Sequence, residues 1–218
     1  MKYKNKSIQI SCDGGAATGK STGAKMISKK YKLKFLSSGL LYRYAGYCIL
    51  KYKPKNKLFF LKNIFKKLNY KKLEKINLHT PSVSKYSSII AKDIKIRAIL
   101  KKFQLSFSKK YKNCCIEGRD ISTKILPNSD VKFFFICSLS IASKRRYKEM
   151  KKFDRKIKLN EVKKALSKRN ILDTKRKYSP LLKHRNSIEI DTGKLNKQAM
   201  LKKMSEYIDK ALKNKYGH

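Results

Sequence analysis

Apolar positions along this chain fall into two kinds of run that take turns. Short, nearly unbroken runs at Ser7 to Cys12, Lys34 to Ser38, Asn113 to Glu117, Val131 to Ser138 and Ser187 to Asp191 predict strands buried on both faces. Between them the apolar residues recur at helical spacing: Ala24, Ile27 and Tyr31; Leu41, Tyr44, Ala45, Cys48, Ile49 and Tyr52; Ile141 to Lys152; Val162, Ala165 and Leu166; and Met200, Met204, Ile208 and Leu212. Ile89, Ile96, Ile99, Leu100, Phe103 and Phe107 predict one long helix or two abutting ones. The alternation predicts an α/β fold, a five-stranded parallel sheet with helices on both faces, in a single domain spanning 1–218. Gly39 is expected to end the second strand, and Val131 to Ser138, an unbroken apolar run, to be a central parallel strand. Pro54 and Pro81 bracket a lysine-rich insert at about 53–80, carrying Leu61, Phe65 and Leu68, and Arg169 to Pro180 is expected to be charged and irregular.

The first strand runs into Gly14-Gly15-Ala16-Ala17-Thr18-Gly19-Lys20-Ser21-Thr22, which has the phosphate-loop spacing G-x-x-x-x-G-K-S/T in its proper strand-to-helix setting. Such a loop aims backbone N–H groups and a helix N-terminus at one anion. It predicts a nucleoside triphosphate, with Lys20 reaching the terminal phosphates and the Ser21 hydroxyl on a Mg²⁺ ion. In a doubly wound sheet ligands gather beyond the carboxyl ends of the strands. The second strand ends there in Ser37-Ser38-Gly39 with Arg43 close behind, and the third in Glu117-Gly118-Arg119-Asp120.

Composition changes this picture little. Lys and Arg total 57 against 14 Asp and Glu, a net charge of +43 that would suit nucleic acid or an anionic membrane. The lysines are spread along the whole chain without a confined block, however, and the abundance of Lys, Asn, Ile and Tyr is what drift in an AT-rich genome produces. A solvated surface is therefore the favoured reading. The five cysteines have no C-x-x-C spacing and no histidine cluster, which argues against a disulfide framework or a metal site and for a reducing compartment. Cys12, Cys114, Cys115 and Cys137 fall in apolar runs and are expected to be buried. The longest apolar run, Phe133 to Cys137, is too short to span a bilayer.

Taken in order, the motifs resemble the bacterial cytidylate kinase family, which phosphorylates CMP and dCMP. The resemblance runs from the phosphate loop through Ser38-Gly39-x-x-Tyr42-Arg43, Gly118-Arg119-Asp120, Arg145-Arg146 and Arg169-x-x-x-Asp173-x-x-Arg176-x-x-x-Pro180-Leu181 to Asp191-Thr192. Only nine of the 57 basic residues are arginine, the side chain whose planar fork grips phosphate or a base edge bidentately. Five of them, Arg43, Arg97, Arg119, Arg169 and Arg176, match positions where the family contacts its nucleotide.

The resemblance implies ATP and Mg²⁺ as cofactors, with residues 14–22 and Arg146 on the donor side. Ser38, Arg43, Arg119 and Arg176 would hold the acceptor phosphate. Ser88, Arg97 and Asp120 would read cytosine, the carboxylate accepting from the exocyclic amine, and Arg169 and Asp173 would meet the ribose. Lys20, Arg119 and Arg176 would be catalytic. The segment at about 146–167 would form a lid, with Arg145, Arg146 and Arg155 as candidate partners for ATP, leaving a core at 1–52, 81–145 and 168–218. Such a protein is expected to be a cytoplasmic monomer acting on nucleotides alone, with no membrane and no obligate nucleic-acid partner. Departures from the family pattern are Ser37 and Glu117, where aspartates are usual, His79 where an arginine is usual, and an insert shorter than usual. The alternatives are another small P-loop kinase acting on UMP or a different acceptor, and a basic P-loop nucleotide hydrolase bound to RNA or the ribosome.

Overall fold

The computed structural model describes residues 7–217, the side chain of Glu74 excepted; residues 1–6 and His218 lie outside it. Five strands form one sheet, β1 (Gln9–Gly14), β2 (Lys34–Ser37), β3 (Cys114–Gly118), β4 (Val131–Ile136) and β5 (Ile188–Asp191), in the order β2-β3-β1-β4-β5. The pairs β1 with β3, β1 with β4 and β4 with β5 are parallel. The expected five-stranded parallel α/β sheet is therefore present, with β1 in the middle and β4, the run at Val131, a central parallel strand between β1 and β5. The helices are α1 (Lys20–Lys30), α2 (Ser38–Tyr52), α3 (Lys57–Lys66), α4 (Pro81–Ile90), α5 (Ile94–Lys110), α6 (Leu139–Lys151), α7 (Leu159–Lys175) and α8 (Lys197–Tyr216). A 3-10 turn at Tyr70–Lys75 and a π-turn at Ile121–Ile125 complete the chain. The fold divides into two compact units, residues 36–110 and the remainder.

In the larger unit, alternate residues of the strands make one apolar face: Ile8, Ile10 and Cys12, then Cys115, then Val131, Phe133 and Phe135, then Ile190. Ala24 and Ile27 of α1 and Met200, Met204, Ile208 and Leu212 of α8 close over it. Helix α1 comes close because Gly23 has no side chain; a Cβ there would stand 2.7 Å from the Phe135 ring. The opposite face of β1 carries Ser11 and Asp13, both buried. Ser11 bonds Ser129 at 2.9 Å and Asp13 bonds the π-turn, so both polar side chains on this face of β1 are satisfied. Cys12, Cys48, Cys114 and Cys115 are buried and Cys137 partly so; all five are free thiols. Burial pushes the Cys12 thiol well above its ordinary value, with Cys115 Sγ 3.8 Å away adding to the shift.

Several expected boundaries move. Strand β1 runs on through Asp13 and Gly14, since pairing with β4 persists to Gly14 opposite Phe135. Residue 14 must be glycine for this, because a Cβ would fall 2.5 Å from the Phe135 carbonyl oxygen. The second strand stops at Ser37, whose hydroxyl accepts the Leu40 N–H and caps α2, so Ser38 and Gly39 are helical. Strand β4 ends at Ile136, and Ser138 caps α6. The stretch from Arg169, expected to be irregular, is helical to Lys175: Val162 and Leu166 bury one side of α7, and its charges find partners described below.

In the unit formed by 36–110, Asn56 caps α3, which buries Leu61 and Phe65, and Thr80 caps α4 with Pro81 in its first turn. The long apolar stretch resolves into two abutting helices because Asp93 accepts the Lys95 and Ile96 N–H groups at 2.8 and 3.1 Å and starts α5 afresh.

Candidate active site

The phosphate loop joins β1 to α1 as the spacing predicts. Gly19 takes a left-handed φ of 83° and leads directly into the helix at Lys20. Thr18 Oγ1 donates to the Gly15 carbonyl at 3.1 Å, and Lys20 Nζ donates to the same oxygen at 3.2 Å. The loop is braced from β5: Thr192 Oγ1 donates to the Thr18 carbonyl at 2.8 Å, and its methyl lies against Gly19. Arg145 in turn holds Thr192, donating to its hydroxyl and its carbonyl, each at 2.8 Å. Arg145, which the resemblance makes a candidate partner for ATP, thus grips protein through both terminal nitrogens. Arg146 pairs with Glu149 at 3.0 Å, and Arg155 is exposed.

Lys20 is only 7% exposed and faces Glu117 Oε2 at 3.7 Å. Burial lowers its pKa to about 8, with Arg119 and Arg169 adding to the fall and Glu117 and Asp173 opposing it. Glu117, at the end of β3, is itself 2% exposed. A buried carboxylate beside the loop lysine and near the Ser21 end of α1 offers the hard oxygen donors that suit Mg²⁺. The sequence places Glu117 in the Glu117-Gly118-Arg119-Asp120 run at the carboxyl end of the third strand and as a departure from the family pattern, without a metal-ligating role.

Beyond β3 the chain turns through Arg119 and Asp120. Arg119 Nε donates to Asp173 Oδ2 at 2.8 Å, and the same carboxylate faces Arg176 at 3.5 Å and Arg169 at 3.9 Å. One turn of α7 separates Arg169 from Asp173, and Arg176 sits at the end of the helix, its Nε bonded to the Ser179 carbonyl. Burial pushes the Asp173 pKa up, but the three arginines outweigh it and hold the group below its ordinary value. Burial and Arg119 push Arg169 down to about 10, so it remains a cation at neutral pH. Four residues carried by two motifs far apart in the sequence, Arg119 in one and Arg169, Asp173 and Arg176 in the other, therefore form one cluster with an excess of two positive charges, electrostatically coupled to Lys20. Helix α7 also meets the loop: a Cβ on Gly15 would stand 3.3 Å from Asn170 Oδ1.

In the unit formed by 36–110, Ser38 is buried at the start of α2. Arg43 donates to the Leu78 carbonyl at 3.1 Å and to Ser84 Oγ at 2.6 Å. Arg97 is 8% exposed, donates to the Ala91 carbonyl at 3.2 Å and has its guanidinium 5.6 Å from the centre of the Tyr42 ring. Ser88 Oγ donates to the Ser84 carbonyl. Arg43 and Ser88 thus share Ser84, a residue the sequence reading did not single out. His79 is exposed.

A parallel sheet whose middle strand feeds a phosphate loop, with a buried lysine and a gathered set of arginines, defines a P-loop phosphotransferase. Solved structures agree on the fold: an uncharacterized protein from Eubacterium ventriosum superposes with a TM-score of 0.57 at 18% identity, covering 94% of this chain and 99% of its own. TT1252 from Thermus thermophilus gives a TM-score of 0.52 at 14% identity, over 94% and 97%. Residues 10–210 match the model of the cytidylate kinase family. Cytidylate kinases of Clostridium tetani (30% identical, 96% of this chain and 97% of that one), Bartonella tribocorum (32%, 95% and 97%) and Mesomycoplasma hyopneumoniae (32%, 93% and 94%) are similar along nearly their whole length. The chain belongs to the cytidylate kinase family, and so is a nucleoside monophosphate kinase with ATP as a substrate. Among the described residues, no helix is long and apolar enough to cross a membrane.

Proposed function

We propose that the protein is a cytidylate kinase, transferring the γ-phosphoryl group of ATP to CMP or dCMP with Mg²⁺ as cofactor. The observation that carries this reading is the cluster of Arg119, Arg169 and Arg176 around Asp173, coupled to Lys20 of the phosphate loop. Three guanidiniums held by one carboxylate leave net positive charge where a transferring phosphoryl group and an anionic acceptor need it.

A phosphate monoester near neutral pH is already an anionic nucleophile, so no general base is required. Arg119 and Arg176 hold the acceptor phosphate together with Ser38 and Arg43, and Lys20 with the loop amides of 14–22 neutralises the charge that develops on the transferring group. Asp173 and Arg169 meet the ribose hydroxyls. Ser88, Arg97 and Asp120 read cytosine, arginine donating to O2 and N3 while the carboxylate accepts from the amine; uracil turns an oxygen toward that carboxylate and is repelled. Arg146 reaches the donor nucleotide, and the segment at about 146–167 acts as the lid, excluding water and so limiting ATP hydrolysis. Ser21, with Glu117 beside the loop, would hold Mg²⁺, which would supply charge screening for the donor phosphates. The enzyme acts as a cytoplasmic monomer.

A coupled ADP-release assay with CMP, dCMP, UMP and AMP as acceptors tests the reading. CMP or dCMP is expected to give the highest kcat/KM. Equal turnover of UMP and CMP refutes the assigned cytosine readers, and no acceptor-dependent ADP release refutes the function.

A further inference from the structure

Asp13 lies next to last in β1, is 0% exposed, and belongs to none of the roles above. Its carboxylate takes three hydrogen bonds from one place: Ile121 N–H at 2.8 Å, Ser122 N–H at 2.7 Å and Ser122 O–H at 2.6 Å. Those two amides open the π-turn Ile121–Ile125, whose first turn would otherwise leave orphan donors in the interior. The residue in the capping position is Asp120, and its side chain makes no capping bond. Asp13, more than a hundred residues earlier in the chain, performs the cap in its place. An aspartate at a helix start ordinarily folds back on its own backbone. Here the carboxylate of β1 satisfies those donors, so Asp120 is not needed for the turn.

We propose that Asp13 is a positioning residue for the acceptor site: by capping the π-turn from β1 it fixes Arg119 and Asp120 relative to the phosphate loop. The inference rests on the reading of Arg119 and Asp120 as contacts of the acceptor nucleotide. Its physical basis is that β1 carries both the cap and, one residue later, the loop, so a single rigid strand sets the position of donor and acceptor groups. Charge-assisted bonds of 2.6 to 2.8 Å are short enough to transmit that position. An asparagine at residue 13 keeps the shape but turns one acceptor into a donor, which would then face an N–H or O–H group.

The test is a double-mutant cycle with kinetics in both substrates. Asp13→Asn is expected to raise the KM for CMP about tenfold or more, the scale of losing bonds to a charged group, while the KM for ATP changes less than about twofold. In an Arg119→Ala background the same replacement should raise the KM by a clearly smaller factor than in the wild type, the remainder acting through Asp120. Ser122→Ala, which deletes one bond and leaves the carboxylate, should show the same split at smaller size and covers the case in which Asp13→Asn does not fold. Amide exchange gives a readout independent of activity: Ile121 and Ser122 should exchange at least about tenfold faster in Asp13→Asn. Additive effects of the two replacements, equal changes in both KM values, or unchanged exchange of the two amides would overturn the inference while leaving the acceptor reading intact. An unchanged KM for CMP in Arg119→Ala alone would overturn that reading, and the inference with it.

Discussion

Replacing Asp173 by asparagine removes one negative charge and almost no volume, which isolates the electrostatic part of the arginine cluster. The carboxylate takes Arg119 Nε at 2.8 Å and faces Arg176 and Arg169 at 3.5 and 3.9 Å, with Asp173 14% exposed and the arginines between 11% and 29%. Loss of the bond to Arg119 alone costs about 1.5–3 kcal/mol. Removing a counter-charge shared by three guanidiniums brings the total toward about 3–5 kcal/mol, the cost of breaking a buried pair. At this chain size each kcal/mol shifts Tm by about 2–4 °C, so Tm should fall by roughly 6–20 °C at pH 7. Saturating inorganic phosphate should recover more of this in the variant than it adds to the wild type, since an anion then replaces the missing charge. Because the arginines hold the Asp173 pKa below its ordinary value, its stabilisation is complete above about pH 4 and is lost as pH falls through the lower folded value. The gap between wild type and variant should therefore stay level from neutral pH down to about 4 and close only below it. Scanning fluorimetry with and without phosphate measures all three. A Tm within about 2 °C of wild type, or no larger gain from phosphate, would refute the reasoning.

Lys20→Ala should lower kcat at least about a hundredfold with the fold unchanged by circular dichroism, the scale of losing one preorganised stabilising group; near-wild-type turnover sinks the donor assignment. Gly23→Ala should destabilise the protein by about 1–3 kcal/mol in urea unfolding, because the added methyl meets the Phe135 ring at 2.7 Å. Burial raises the Asp13 pKa to about 6 against the pull of its hydrogen bonds, so its linkage runs opposite to that of Asp173. Wild-type stability relative to Asp13→Asn should decline as pH rises from about 4 to about 6 and then level off, as read from urea midpoints; a relative stability that climbs over that range contradicts a raised pKa. Chelating Mg²⁺ should abolish ADP release while leaving Tm unchanged, and activity surviving chelation removes the metal from the reaction.

The sequence by itself determined the class of fold and the donor loop. Buried parallel strands read as unbroken apolar runs and helices as 3.6-residue stripes, because both patterns follow from local geometry and from which side faces the core. The phosphate loop is equally legible, since its glycines, lysine and serine act within nine consecutive residues. The register of a cluster spread over the chain is different in kind. That Arg119 reaches Asp173, that Arg145 spends its fork on Thr192, and that Asp13 caps a turn beginning at Ile121 are contacts over long sequence separations. No periodicity encodes them. The tertiary structure also decided the ends of elements: Arg169 to Lys175 stays helical with Asp173 paired to Arg169 on its own helix and to Arg119 beyond it, and Ser37 ends β2 by capping the next helix. Local pattern fixes what each segment can become; only packing against distant segments decides which polar groups are satisfied within the protein, and so which remain for a substrate.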